Sequence, residues 1–313
     1  MAELIMTVEQ MQDRDAWLKL RNSGLGGSDA AAIMGKSPWK SRLALWAEKT
    51  GEMPPADLSG NWRVYWGSKL EDVVADWFCE VTGKRVRRRG MMRSCEHPWM
   101  LASLDREIIG ERAGLEIKTA DVSQKKFWQE GEVPDAYYLQ VQWYMAVTGY
   151  DRWYMAVLIG GNDARWCVVE RNQAQIDELI RAGADFWQMI QDKVAPEPDG
   201  SDSSKEALDA QYPGGKAEVL ELVEDEAVQA MAAYQMLKKQ EDELKVQVDT
   251  VKQRIMEMMG DHEEARISGV KVTWKTTPGR VTLDAKKLKA DHKDIYDKYV
   301  KQGKPGRTFR IWE

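Results

Sequence analysis

The chain has 313 residues, 43% of them hydrophobic and 31% charged, enough for one large domain with a sizeable core and a smaller one. A formal net charge of −6 excludes a uniformly basic nucleic-acid coat protein while leaving room for a local basic groove. Three widely spaced cysteines without a Cys-x-x-Cys exclude a disulfide framework or a zinc site, and no apolar run approaches the ~20 residues of a membrane span.

The first helix is expected from Thr7 to about Leu20, with Thr7 and Gln10 as a capping box. A glycine-rich turn, Asn22 to Gly27, leads through Ser28 and Asp29 into the alanine-rich helix AAAIMG. Ser41 to Thr50 reads as a short helix closed by Gly51. Trp66 to Thr82 reads as a longer one, with Leu70, Val73, Val74, Trp77 and Phe78 at helical spacing and Gly83 as its stop. Strands follow at Arg85 to Arg93, Met100 to Ile109 and Gly114 to Thr119, then a helix from about Pro134 to Val147. Two more strands, Trp153 to Ile159 and Arg165 to Glu170, flank the hairpin signal Gly160-Gly161-Asn162-Asp163, and a helix covers Gln173 to Lys193. Most of the 14 tryptophans, Trp62 and Trp66 among them, are expected in the core, and the cysteines as reduced buried thiols of a cytoplasmic protein.

This order predicts an α/β domain over 1–195. Residues 196–215 have the composition of a linker. Within 216–313, apolar or small residues recur in alternating steps of three and four from Leu220 to Met258, interrupted only at Glu241. Such a heptad seam suits pairing with another helix of the chain, a second subunit or a partner protein. Strands near Ala265 to Lys275, a basic helix near Ala285 to Val300 and a final strand Arg307 to Trp312 are expected to form a small α+β unit.

The chemistry concentrates in LASLDREIIGERAGLEIKT, Leu101 to Thr119. On an extended strand Glu116 and Lys118 share a face while Ile117 turns to the core. A turn near Gly110 to Ala113 brings Asp105 beside them. Two converging carboxylates call for a cation, and hard oxygen ligands suit Mg²⁺ or Mn²⁺. A neighbouring lysine then holds or activates water for attack on a phosphate. Arg21 and Ser28 flank a glycine turn at a helix start, a place that favours an anion. Arg85, Arg87 and Arg89 share one strand face suited to tracking phosphates.

Five motifs in order, GLGGSDAAAIMGKSPWKS, WGSKLED, LASLD, LEIKT and YYLQVQWYMAVTG, resemble the YqaJ-type phage recombinases. These are relatives of lambda exonuclease in the PD-(D/E)XK nuclease superfamily, and the resemblance covers about 14–190. It implies a mixed central sheet flanked by helices, here with a C-terminal long-helix extension. It implies metal ligands at Asp105, Glu116, the Ile117 carbonyl and Glu71, with Lys118 activating water and Gln140 orienting the centre. It implies Arg21 and Ser28 on a 5′-phosphate, and two Mg²⁺ ions per site, for which Mn²⁺ substitutes. The implied activity is 5′→3′ resection of double-stranded DNA ends in a bacterial host cell. The implied partners are a single-strand annealing protein of the RecT or Redβ kind and other copies of the chain in a ring-shaped trimer. The alternatives are a structure-specific or restriction-like endonuclease and a non-catalytic DNA-binding recombination scaffold.

Overall fold

The computed structural model describes residues 2–129, 131–301 and 307–311. It divides into two compact units, the first ending at Pro213 and the second beginning at Gly214. The chain opens with strand β1 (Ala2–Met6), too short for its pattern to signal a strand beforehand. Thr7 and Gln10 do form the capping box, at 2.8 and 3.3 Å, but it serves only a single 3-10 turn over Gln10–Gln12. The Asp13 carboxylate then accepts from the Asp15 and Ala16 amides and starts α1 (Arg14–Arg21) afresh. A second cap thus divides the single helix expected over Thr7 to Leu20.

Strand β2 (Leu25–Gly26), a 3-10 turn and α2 (Ala30–Ile33) follow, the four α2 residues all buried. Helix α3 (Arg42–Thr50) is capped by Ser41 and stopped by Gly51 in the left-handed region, as its residues predict. Helix α4 (Trp62–Thr82) starts earlier than expected because Asn61 accepts from the Arg63 and Val64 amides. Its buried residues, Val74, Ala75 and Phe78, all lie in its C-terminal half, so Trp62 and Trp66 are 71% and 55% exposed rather than in the core.

Two runs read as single strands are each shared between two sheets. The first gives β3 (Val86–Arg87) and β4 (Met91–Ser94), and the second gives β5 (Met100–Ser103) and β6 (Arg106–Ile108). Gly90 lies where β3 passes to β4, and a Cβ there would sit 1.9 Å from the Met6 carbonyl oxygen. The remaining elements of this unit are β7 (Ala113–Ala120), α5 (Asp135–Thr148), β8 (Arg152–Ile159), β9 (Asp163–Glu170), α6 (Gln173–Asp192) and α7 (Asp202–Gln211).

Among the described residues the strands make a four-stranded sheet, β1-β4-β5-β2, and a five-stranded sheet, β3-β6-β7-β8-β9. In the latter β7 and β8 run parallel and the other pairs antiparallel. A parallel pair needs a crossover, and α5 supplies it. Leu115 and Ile117 of β7 pack with Val74 and Phe78 of α4. Strand alternation therefore turns Glu116 and Lys118 to the opposite face, the one α5 crosses. The larger core, with Trp143, Trp153 and Phe186 at its centre, lies on that side.

The segment expected as a linker holds α7. Ser201 caps it, the Ser41 amide donates to the Ser203 hydroxyl at 3.1 Å, and Ala207 is buried against the main core. A polar composition hid a helix whose few apolar side chains suffice for docking on α3.

In the second unit α8 (Asp225–Met259) is followed by the antiparallel hairpin β10 (Glu264–Ile267) and β11 (Val270–Thr273), then α9 (Ala285–Asp291) and α10 (Lys293–Tyr299). His292 leaves helical geometry and splits the helix expected over Ala285 to Val300. Residues 307–311 are not in a strand, and Trp312 lies outside the described residues. The cysteines are free, Cys95 exposed and Cys79 and Cys167 only half-buried. Among the described residues no helix is long and apolar enough to cross a membrane.

Candidate active site

The chain crosses from the four-stranded to the five-stranded sheet at Leu104-Asp105, so Asp105 sits at a bend rather than within a strand. Gly110 turns the chain with φ 89°, and β6 pairs with β7 through Arg106–Leu115 and Glu107–Gly114. That register carries Asp105 to β7, where its Oδ2 accepts from the Ile117 amide at 2.7 Å. Glu116, 2% exposed, accepts at Oε1 from Lys118 Nζ and, at 2.6 Å, from Gln140 Nε2. Its second oxygen, Oε2, is buried without a hydrogen-bond partner.

Gln140 and Tyr144 lie one turn apart on α5 and so share a face. The Gln140 amide also donates to the Tyr144 hydroxyl at 2.9 Å, and the Tyr144 ring packs on Gly27 so closely that a Cβ there would lie 2.4 Å from it. The glycine turn is thereby tied to the carboxylates through two α5 side chains. Arg21 Nη2 donates to the Ser28 hydroxyl at 2.8 Å. Beneath the turn, Asp29 is buried against Lys49 at 3.1 Å and accepts from the Gly26 amide at 2.9 Å. Lys49 in turn donates to the Gly24 and Arg21 carbonyls, at 2.7 and 3.2 Å. Ser28, Trp39, Lys118, Tyr137 and Gln140 line one pocket of about 310 Å³. A larger one of about 1140 Å³ shares Trp39, Ala136 and Tyr137 with it and adds Lys36, Arg63 and Lys126.

Burial, and then the Glu116 charge, push Asp105 well above the usual carboxylate range. Burial likewise raises Glu116, against the pull of Lys118. Burial opposes the charge on Lys118, but the Glu116 and Asp105 carboxylates outweigh it and hold the lysine above its ordinary value. Its ammonium also lies 4.9 Å from the centre of the Tyr137 ring.

The structure therefore gathers Asp105, Glu116, Lys118, Gln140 and Ser28, with Arg21 behind Ser28. It does not add Glu71 to the carboxylate pair. Glu71 Oε1 instead accepts from Arg106 Nη1 at 2.5 Å. Arg87 and Arg89 lie elsewhere, both directed at the buried Glu107, at 2.7 and 3.4 Å. Among the described residues no three His, Cys, Asp or Glu side chains form a ready-made metal cage. Asp105, Glu116 and the unpartnered Oε2 nevertheless fit a divalent ion, since a cation relieves both their repulsion and that oxygen. Sequence reasoning missed Arg106, Tyr144 and the Asp29–Lys49 pair. Only the Asp105-Arg106 adjacency was visible beforehand, and it has no meaning until α4 is in place.

A mixed sheet bearing Asp at a strand switch and Glu-x-Lys on the next strand, with a glutamine from the crossover helix, is the PD-(D/E)XK class of arrangement. Residues 16–151 match the family model of the YqaJ-like viral recombinase domain. The uncharacterized protein YqaJ of Bacillus subtilis is 38% identical over 322 aligned positions, which cover 100% of this chain and 98% of that protein. Similar solved structures include an alkaline exonuclease of Laribacter hongkongensis, with TM-score 0.49 and 20% identity over 57% of this chain and 93% of that one. Another is a phage-related exonuclease of Haemophilus somnus, with TM-score 0.42 and 15% identity over 54% and 96%. The chain belongs to the YqaJ-like viral recombinase family.

Proposed function

We propose that the protein is a Mg²⁺-dependent deoxyribonuclease that digests double-stranded DNA ends 5′→3′ and leaves 3′ overhangs for a single-strand annealing protein of the RecT or Redβ kind. The observation that carries this reading is the buried Asp105–Glu116 pair with an orphaned Glu116 oxygen and Lys118 at its side. Asp105, Glu116 and the Ile117 carbonyl would hold the ion. When bound, it supplies Lewis-acid polarisation of a phosphoryl oxygen and lowers the pKa of attacking water. Mn²⁺ would serve in its place.

Gln140 fixes Glu116 by its amide hydrogen bond, and Lys118 presents its ammonium to the pocket it shares with Ser28. Arg21 and Ser28, beside the amides of the glycine turn, suit a terminal 5′-phosphate. The adjoining pocket, with Lys36, Arg63, Lys126 and the exposed Trp39, suits a nucleic-acid strand through charge and stacking. Arg87 and Arg89 would track phosphate only beyond this centre, since Glu107 already holds them. The first unit would be the nuclease, and the heptad helix of the second would join copies of the chain or an annealing partner, in the cytoplasm of a bacterial host.

Linear and closed circular duplex, incubated with Mg²⁺ or with EDTA, test the reading directly. Digestion of the linear form alone, dependent on Mg²⁺ and faster on 5′-phosphoryl than on 5′-hydroxyl ends, is expected. Arg21→Ala is expected to erase most of that 5′ preference. Cleavage of the circle would make the protein an endonuclease, and no cleavage of either would remove the catalytic reading.

A further inference from the structure

The resemblance to related nucleases implies Glu71 as a ligand of a second metal ion, but the side chains around it argue otherwise. Alternation along β6 sends Arg106 and Ile108 to the face covered by α4, and Ile108 packs there with Val74 and Phe78. Arg106 is 4% exposed. Its guanidinium donates from Nη1 to Glu71 Oε1 and to the Asp105 carbonyl, and from Nη2 to Asp72 Oδ1, each at 2.5 Å. Asp72 takes a second cation, Arg88, at 2.7 and 2.8 Å. Glu71 and Asp72 thus already have two positive partners, one of them fixed inside the fold.

A second divalent ion at Glu71 would have to compete with this buried guanidinium for Oε1, so a cation already stands where that ion would bind. The charge balance points the same way. With Glu71 and Asp72 paired to Arg106 and Arg88, the formal charges of Asp105, Glu116 and Lys118 sum to minus one, so one divalent ion bound to the ionised carboxylates leaves the centre positive by one unit. That matches the single negative charge of a phosphodiester.

We propose that Arg106 takes the place of the second metal ion, making this a one-ion centre in which Glu71 positions Arg106 rather than ligating metal. The proposal rests on the metal-dependent reading above and departs from the family resemblance in the number of ions.

Mn²⁺ titrated into the metal-free full-length protein, with free ion counted by electron paramagnetic resonance, is expected to show one tight site per chain. Asp105→Asn should lose that site, whereas Glu71→Gln should keep it with its affinity essentially unchanged. The count is repeated on the Lys118→Ala protein bound to 5′-phosphorylated duplex, where it should remain one. Two sites in either state, or a loss of about tenfold or more in Glu71→Gln, overturns the proposal and leaves the nuclease reading standing. No tight site in the unaltered protein, with Asp105→Asn indistinguishable from it, overturns both. Arg106→Gln, if circular dichroism shows it folded, should gain a second site, and an unchanged count in that folded variant also counts against the proposal.

Discussion

Lys118 holds its charge in a half-buried place because the Glu116 and Asp105 carboxylates offset its desolvation, and this sets the outcome of removing it. Lys118→Ala is expected to lower DNA hydrolysis by about 10²–10⁴-fold while leaving duplex binding in Ca²⁺ nearly intact, measured by single-turnover cleavage and by filter binding. Unreduced cleavage would remove Lys118 from the chemistry. Asp29 is the opposite electrostatic case. Burial opposes its charge, but Lys49 and Arg21 outweigh that and hold it below the ordinary aspartate value of about 3.9. A depressed folded pKa contributes stability that is present above the unfolded value and is lost as pH falls through the folded one. Asp29→Asn, which strands the buried Lys49, should cost about 3–5 kcal/mol at pH 7. Urea unfolding should show that deficit narrowing as pH falls below about 3.9, where the unaltered protein loses the same contribution. An equal deficit at both pH values would mean the pair contributes nothing electrostatic.

At the scale of elements, the glycine turn and α5 are coupled by contact rather than by sequence proximity. A Cβ at Gly27 would meet the Tyr144 ring, so Gly27→Ala should push back α5 and destabilise the protein by about 1–3 kcal/mol. Thermal melting reads the stability, and the 5′-phosphate preference should fall with it. Helix α8 poses a separate question. It runs 35 residues, about 52 Å at 1.5 Å per residue, with Leu237, Leu244, Val248 and Val251 largely exposed along one seam. Lys238, Lys245 and Lys252 recur beside that seam at seven-residue spacing. If the seam joins copies of the chain, Leu244→Glu should lower the mass measured by light scattering in solution, with the catalytic rate per chain unchanged. A monomeric unaltered protein would redirect the seam to a partner.

For the molecule as a whole, a cation bound only by the folded protein raises its stability by mass action. Mg²⁺ is expected to raise the melting temperature of the unaltered protein and not of Asp105→Asn. Ca²⁺ should also raise it and support DNA binding without cleavage, because its longer bonds and looser coordination misplace the reacting groups. Calorimetric scans with each ion check both statements, and an equal shift in Asp105→Asn would place the ion elsewhere.

Much of the centre was legible in the chain because strand alternation is local. Glu116 and Lys118 on one face, Ile117 on the other and a turn before Ala113 follow from residues that are neighbours in sequence. Caps and stops were equally local, as Ser41 with Gly51 shows, although the second cap at Asp13 defeated a helix drawn through it. What the tertiary structure alone decided is where distant side chains meet. Arg106 reads as one more charge in a charged chain until α4 lays Glu71 and Asp72 over it. Gly27 reads as turn chemistry until Tyr144 fills the space a Cβ would need. The strands at Arg85 to Arg93 and Met100 to Ile109 looked continuous because each half keeps a strand-like pattern, and only pairing partners far along the chain assign the halves to different sheets. Local geometry is set by neighbours through bonds and rotamers. Long-range pairing is set by whichever surfaces the assembled layers bring together, and no window of sequence contains both.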